Sequence, residues 1–128
     1  MFGWSKKSAA PSIGPDFSKI DSQAKAEELF RRGELEKLFL MPLEFGGQSI
    51  PVNILYVPVG VAAIKSGIDH NVIGRLAAER KITKYKATPE YKGKSFIPIA
   101  IKILASDPGE FSTTINIWGE ALTRDKKP

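Results

Sequence analysis

His70 is the single histidine of the 128-residue chain, and histidine is the usual general base near neutral pH. It directly follows Asp69 and stands four residues after Ser66, so the residue types of a nucleophilic triad occur close together. Neighbours on a helix point about 100° apart, however, and a triad needs members that converge from separate elements. Asp69 and His70 are therefore kept as the catalytic candidates, while Asp69 reads first as a helix cap and His70 as a structural or solvated side chain. A metal site would need Asp69, Glu44 or Glu79 to converge on His70, and no spacing supports that, so no metal is expected. The chain has no cysteine, which excludes a thiolate nucleophile, a zinc finger, an iron–sulfur cluster and a disulfide framework.

Other chemistry is thin. Glu27-Glu28, Glu34 and Glu36 lie on or just beyond the charged face of a helix, where solvation is the default. Gly60-Val61-Ala62-Ala63-Ile64-Lys65-Ser66 ends in Lys-Ser but lacks the second glycine of a phosphate loop. Neither a dinucleotide fingerprint nor a nucleophile elbow occurs. No cofactor is expected.

The formal charge is +5, and residues 65–102 hold nine basic against three acidic residues. Within that segment Lys84-Tyr85-Lys86 and Tyr91-Lys92-Gly93-Lys94-Ser95-Phe96 interleave cations with aromatic rings. Single-strand binders use that mixture, lysine for phosphate and rings for base stacking. Lys84, Tyr85, Lys86, Tyr91, Lys92 and Lys94 are the nucleic-acid candidates. Lys92, Gly93 and Phe96 also fit the first ribonucleoprotein signature of RNA-recognition motifs. The other two stacking positions hold Lys94 and Ile99, which leaves the platform incomplete. The competing reading is a solvated lysine rim that discourages edge pairing.

These side chains must be positioned by a modest set of elements. Residues 1–15 read as a flexible arm, 16–123 as one domain and 124–128 as a basic tail. A helix is expected from Asp21 to Arg32, capped by Asp21 or Ser22 and closed by Gly33. Glu27–Arg31 and Glu28–Arg32 would form ion pairs at spacing i, i+4. Leu38–Phe45 and Ile50–Val57 read as a hairpin turned by Gly46-Gly47. Val59–Lys81 is helical, with an apolar stripe of Val61, Ile64, Ile68, Val72 and Leu76 and a break expected near Ser66-Gly67. Thr83–Ala87, Ser95–Leu104 and Phe111–Trp118 complete a meander, with a turn at Ser106-Asp107-Pro108-Gly109. The expected class is α+β: helices packed on a largely antiparallel five-stranded sheet, in the order α-β-β-α-β-β-β.

Phe45–Ile64 is twenty residues without a charge, yet its glycines, prolines and polar residues break it into turn, strand and helix start. No membrane association is expected, and the missing cysteines favour a cytoplasmic setting. Two strands carry apolar side chains on both faces, so something must cover a second sheet face. Phe96, Pro98, Ala100 and Trp118 are the candidate interface for a homodimer or protein partner. The leading expectation is a non-catalytic binding or assembly module, with single-stranded nucleic-acid binding as an alternative. The order of two strands, a helix and a meander also resembles, in topology alone, the hot-dog thioesterases. That resemblance implies a small acyl-thioester enzyme, although the carboxylate-bearing helix motif of such enzymes is missing here.

Overall fold

In the computed structural model, residues 15–124 are described. All but the last residue of the expected N-terminal arm, Phe2 and Trp4 included, and all but the first residue of the basic tail lie outside them. The class is α+β, as expected, but the five strands form two antiparallel sheets of two and three strands rather than one.

Helix α1 spans Gln23–Arg31; Ser22 caps it by accepting from the Lys25 amide at 3.2 Å. Gly33 takes the left-handed conformation, φ +80°, and its amide donates to the Phe30 carbonyl. The expected i, i+4 ion pairs are replaced by Glu28–Arg31 and Arg32–Glu34, both at 2.7 Å. Strands β1 (Leu35–Phe39) and β2 (Ile54–Pro58) pair in register from Leu35↔Pro58 to Phe39↔Ile54. They are shorter than the sequence pattern implied, and Gly46-Gly47 is not a tight hairpin turn. Pro42 and Pro51, which lack amide donors, instead introduce two 3-10 turns, Leu43–Phe45 and Pro51–Asn53, in a long connection. The Asn53 side chain fastens that connection, accepting from the Met41 amide at 2.7 Å and donating to the Met41 and Gln48 carbonyls at 2.9 Å. A Cβ at Gly47 would collide with the Met41 carbonyl, so this close approach requires glycine.

The next segment runs without a break: α2 (Val61–Gly67), a π-helical turn (Ile68–Ile73) and α3 (Gly74–Ala78). Gly67 and Gly74 both hold right-handed helical angles. The polar Ser-Gly-Ile-Asp stretch therefore widens the helix instead of ending it. The α2 N-terminus is capped by β1: Glu36 accepts from the Gly60 and Ala62 amides, both at 2.9 Å. Glu36 is thus a structural cap, not a solvated carboxylate. The buried face is also shifted by one residue from the expected stripe. Val61, Lys65, Asp69 and Ile73 are buried, whereas Ile64 is 55 % exposed.

Strands β3 (Lys84–Glu90), β4 (Ala100–Ser106) and β5 (Glu110–Asn116) form the second sheet, followed by a short α4 (Ala121–Arg124). Ile101, Ile103 and Ala105 of β4 point into the core, while Lys102 and Leu104 face solvent. The central strand is therefore not apolar on both faces along its length. Pro89 within β3 is tolerated because β3 is an edge strand, and Pro58 closes β2. Prolines on both strands remove amide donors from the edges that a five-stranded sheet would have had to join.

Candidate functional site

Two indentations flank the β1–β2 hairpin. The first is a cleft of about 170 Å³ between α2, the π-helical turn and the 3-10 turn at residues 43–45. Its polar groups form two layers.

The inner layer is buried. Spacing i, i+4 places Asp69 one turn beyond Lys65, and Lys65 Nζ lies 2.6 Å from Asp69 Oδ2 with both side chains 3–4 % exposed. Alternation along β3 turns Tyr85 inward to complete the group. The Tyr85 hydroxyl donates to Asp69 Oδ1 at 2.8 Å and accepts from Lys65 Nζ at 2.9 Å. Burial pushes the Lys65 ammonium below the usual lysine range, against the hydrogen bond and charge of Asp69. Burial first, then Asp69, pushes the Tyr85 hydroxyl far above the ordinary tyrosine value. Taking two charges out of water costs several kcal/mol, roughly, per ion before their attraction offsets it.

The outer layer is exposed. His70 Nε2 lies 2.6 Å from Glu44 Oε2, and His70 Nδ1 lies 3.1 Å from Ser66 Oγ. Phe45 stands edge-on to both His70 and Tyr85, with centroids 6.5 and 5.4 Å away. A hydrogen bond to the backbone of Glu44 itself, and then His70, hold the Glu44 carboxyl below the usual range. Asp69 and His70 diverge as expected, one inward and one outward. The convergence of Glu44 on His70 was not anticipated, because 26 residues separate them and the 3-10 turn that delivers Glu44 had been read as strand. The contacts Ser–His–Glu have the order of a nucleophilic relay. Ser66 lies within α2, however, where the backbone amide is committed to the helix and cannot serve an oxyanion. Among the described residues, no group of three or more metal-ligating side chains is placed to hold an ion.

The second indentation is a groove of about 470 Å³ over the outer face of the β1–β2 hairpin. Tyr56 from β2, Pro51 and Val52 from the connection, and Pro89, Tyr91 and Phe96 from the second sheet and its loop line it. Val52 is 80 %, Tyr91 45 % and Phe96 42 % exposed. Gln23 and Glu27 of α1 form a polar wall, and Glu27 accepts a long 3.5 Å hydrogen bond from the Tyr56 hydroxyl. Lys37, paired across the hairpin with Tyr56, lies 4.7 Å from the Phe30 ring and lines both indentations.

The remaining sequence candidates separate. Lys84 and Lys86 lie on the outer face of β3, and Tyr85 lies on the opposite, inner one. Lys84 pairs with Asp107 at 3.6 Å and Lys92 with Glu120 at 3.1 Å, while Lys94 is exposed on the loop. Strand alternation therefore turns the Tyr85 ring away from Lys84 and Lys86, whereas Tyr91, Lys92, Lys94 and Phe96 are all exposed in the loop before β4, where Tyr91 and Phe96 also line the groove. Of the expected interface, Pro98, Ala100 and Trp118 are buried in the chain's own core. The Trp118 indole donates to the Ile97 carbonyl at 2.9 Å, and Phe17 packs edge-on against its ring at 6.0 Å. Self-packing covers those three side chains and leaves Phe96 accessible. No helix of the described residues is long and apolar enough to cross a membrane. No family model matches the chain, and neither does any curated protein or solved structure.

Proposed function

We propose that the chain is a non-catalytic protein-binding module whose groove receives an extended, proline-bearing segment of a partner. The observation that carries this reading is the clustering of Tyr56, Tyr91 and Phe96 with Pro51 and Pro89 along one open groove. Aromatic-lined grooves suit polyproline-type segments, which are preformed and leave their backbone carbonyls unsatisfied. The Gln23 amide on the α1 wall gives one N–H to Glu27 Oε2 at 3.0 Å and has a second to donate to such a carbonyl. Pro51, Val52, Tyr91 and Phe96 are exposed while Tyr56 and Pro89 are half-buried and Leu55 is buried, so the groove has an open rim over a packed floor and favours an extended chain over an enclosed small molecule. The missing cysteines fit a cytoplasmic setting for this role. The expected apolar sheet face thus moves from β4 to the outer face of the β1–β2 hairpin. The hot-dog resemblance loses its topological support because the five strands do not join one sheet.

The test is fluorescence anisotropy with proline-containing dodecamers selected from a displayed library. Tyr91→Ala and Phe96→Ala should each weaken binding about tenfold or more, the effect of losing a central aromatic contact. Binding that is unchanged in both variants overturns the assignment. Light scattering supplies the other arm: a dimer that dissociates on Phe96→Ala would give the groove to a second copy instead of a partner peptide.

A further inference from the structure

Among the described lysines, Lys65 is the one that is buried. Lys65 and its partner Asp69 both line the 170 Å³ cleft, together with the apolar residues Leu38, Phe39 and Ala62. We propose that Lys65 is a carbonyl-reactive amine that condenses with a small aldehyde or ketone held in this cleft.

Three observations support it. First, the cleft, at about 170 Å³, is smaller than the roughly 300–1,000 Å³ typical of drug-sized ligand sites, which suits a small carbonyl compound. Second, a proton acceptor is in place: Asp69 Oδ2 lies 2.6 Å from Nζ, and Tyr85 holds both groups from the far side. Third, desolvation by the surrounding protein makes the ammonium give up its proton more readily than a surface lysine does.

The step balances without an oxidant or reductant. Asp69 takes one ammonium proton, and the freed Nζ lone pair forms a bond to the carbonyl carbon as the C=O π pair moves to oxygen. Nζ gives up a second proton, and oxygen gains one to become the carbinolamine hydroxyl. Asp69 then returns its proton to that hydroxyl, which leaves as water while the nitrogen lone pair forms C=N. Ammonium and carbonyl have become a protonated imine and one water. Tyr85 acts as a positioning residue, since its hydroxyl contacts Nζ and Asp69 rather than the incoming carbonyl.

The test exposes the full chain briefly to glyoxylate with cyanoborohydride, which reduces an imine to a stable amine, and locates the adduct by peptide mapping. Lys65 should be modified about tenfold faster than the average exposed lysine, equivalent to about 1.4 kcal/mol of barrier. Exposure alone predicts the reverse order. Asp69→Asn should slow labelling at Lys65 while leaving surface lysines unchanged, and Lys65→Met should abolish the fast adduct. Labelling of the wild-type chain confined to exposed lysines overturns the proposal, whether or not either variant folds. Peptide binding in the groove is read separately and does not enter this outcome.

Discussion

The groove and the cleft reverse the usual division between surface and interior. In the groove, Tyr91, Phe96 and Val52 stay open to water; a few residues away, the cleft buries a lysine, an aspartate and a tyrosine hydroxyl in one hydrogen-bonded group. Exposed rings forgo hydrophobic stabilisation, whereas buried charges incur a desolvation cost. The difference lies in what each wall supports. Removing a groove ring should leave the fold standing, while removing one member of the buried group leaves the others unsatisfied.

The largest expected effect tests that asymmetry directly. Lys65→Ala should lower unfolding free energy by about 3–5 kcal/mol, because Asp69 loses its counter-charge in the interior. Adding Asp69→Leu to Lys65→Met should restore most of that loss; urea denaturation of both variants decides. A double variant as unstable as Lys65→Ala would place the cost in packing rather than charge. Asn53→Ala follows, at about 2 kcal/mol, since three hydrogen bonds to the connection disappear together.

Tyr85→Phe should cost about 1 kcal/mol near neutral pH and change the alkaline limb of the stability profile. The folded-state value of Tyr85 is raised above its ordinary 10.0. Its stabilisation is therefore fully present below pH 10.0 and declines above it, where the unfolded chain ionises first. Phenylalanine should flatten that decline in denaturation curves taken across the alkaline range. At the small end, Lys86→Ala and Lys102→Ala on the solvent face of the three-stranded sheet should stay within about 0.5 kcal/mol of the parent. A larger loss at either would mean that the outer face contributes more than solubility.

Much of the local structure was legible in the sequence, because local rules governed it. Ser22 and Gly33 marked the ends of α1, and alternating isoleucines marked the core face of β4. What failed was long-range. Asp69 looked like a cap because polar residues ordinarily start helices; Lys65 stands at the local i, i+4 spacing, but its partner Tyr85 and the burial of all three become visible only when β3 packs on the helix. The same contacts explain the one-residue rotation that buried Lys65 and exposed Ile64. Glu44 could not be paired with His70 from spacing, and Gly46-Gly47 imitated a hairpin turn because glycine pairs serve several kinds of close approach. At the groove, Phe96 and Tyr91 had been picked out for other roles. Their neighbours Tyr56 and Pro51 carried no signal until the two sheets were placed beside one another.

The connection fastened by Asn53 supplies walls to both indentations: Pro42, Leu43 and Glu44 to the cleft, and Leu40, Pro51 and Val52 to the groove. Gly47, pressed against the Met41 carbonyl, leaves little slack between those two sets. Any occupant that shifts the connection from one side therefore reshapes the other, and the free energy of that coupling must be the same in either direction.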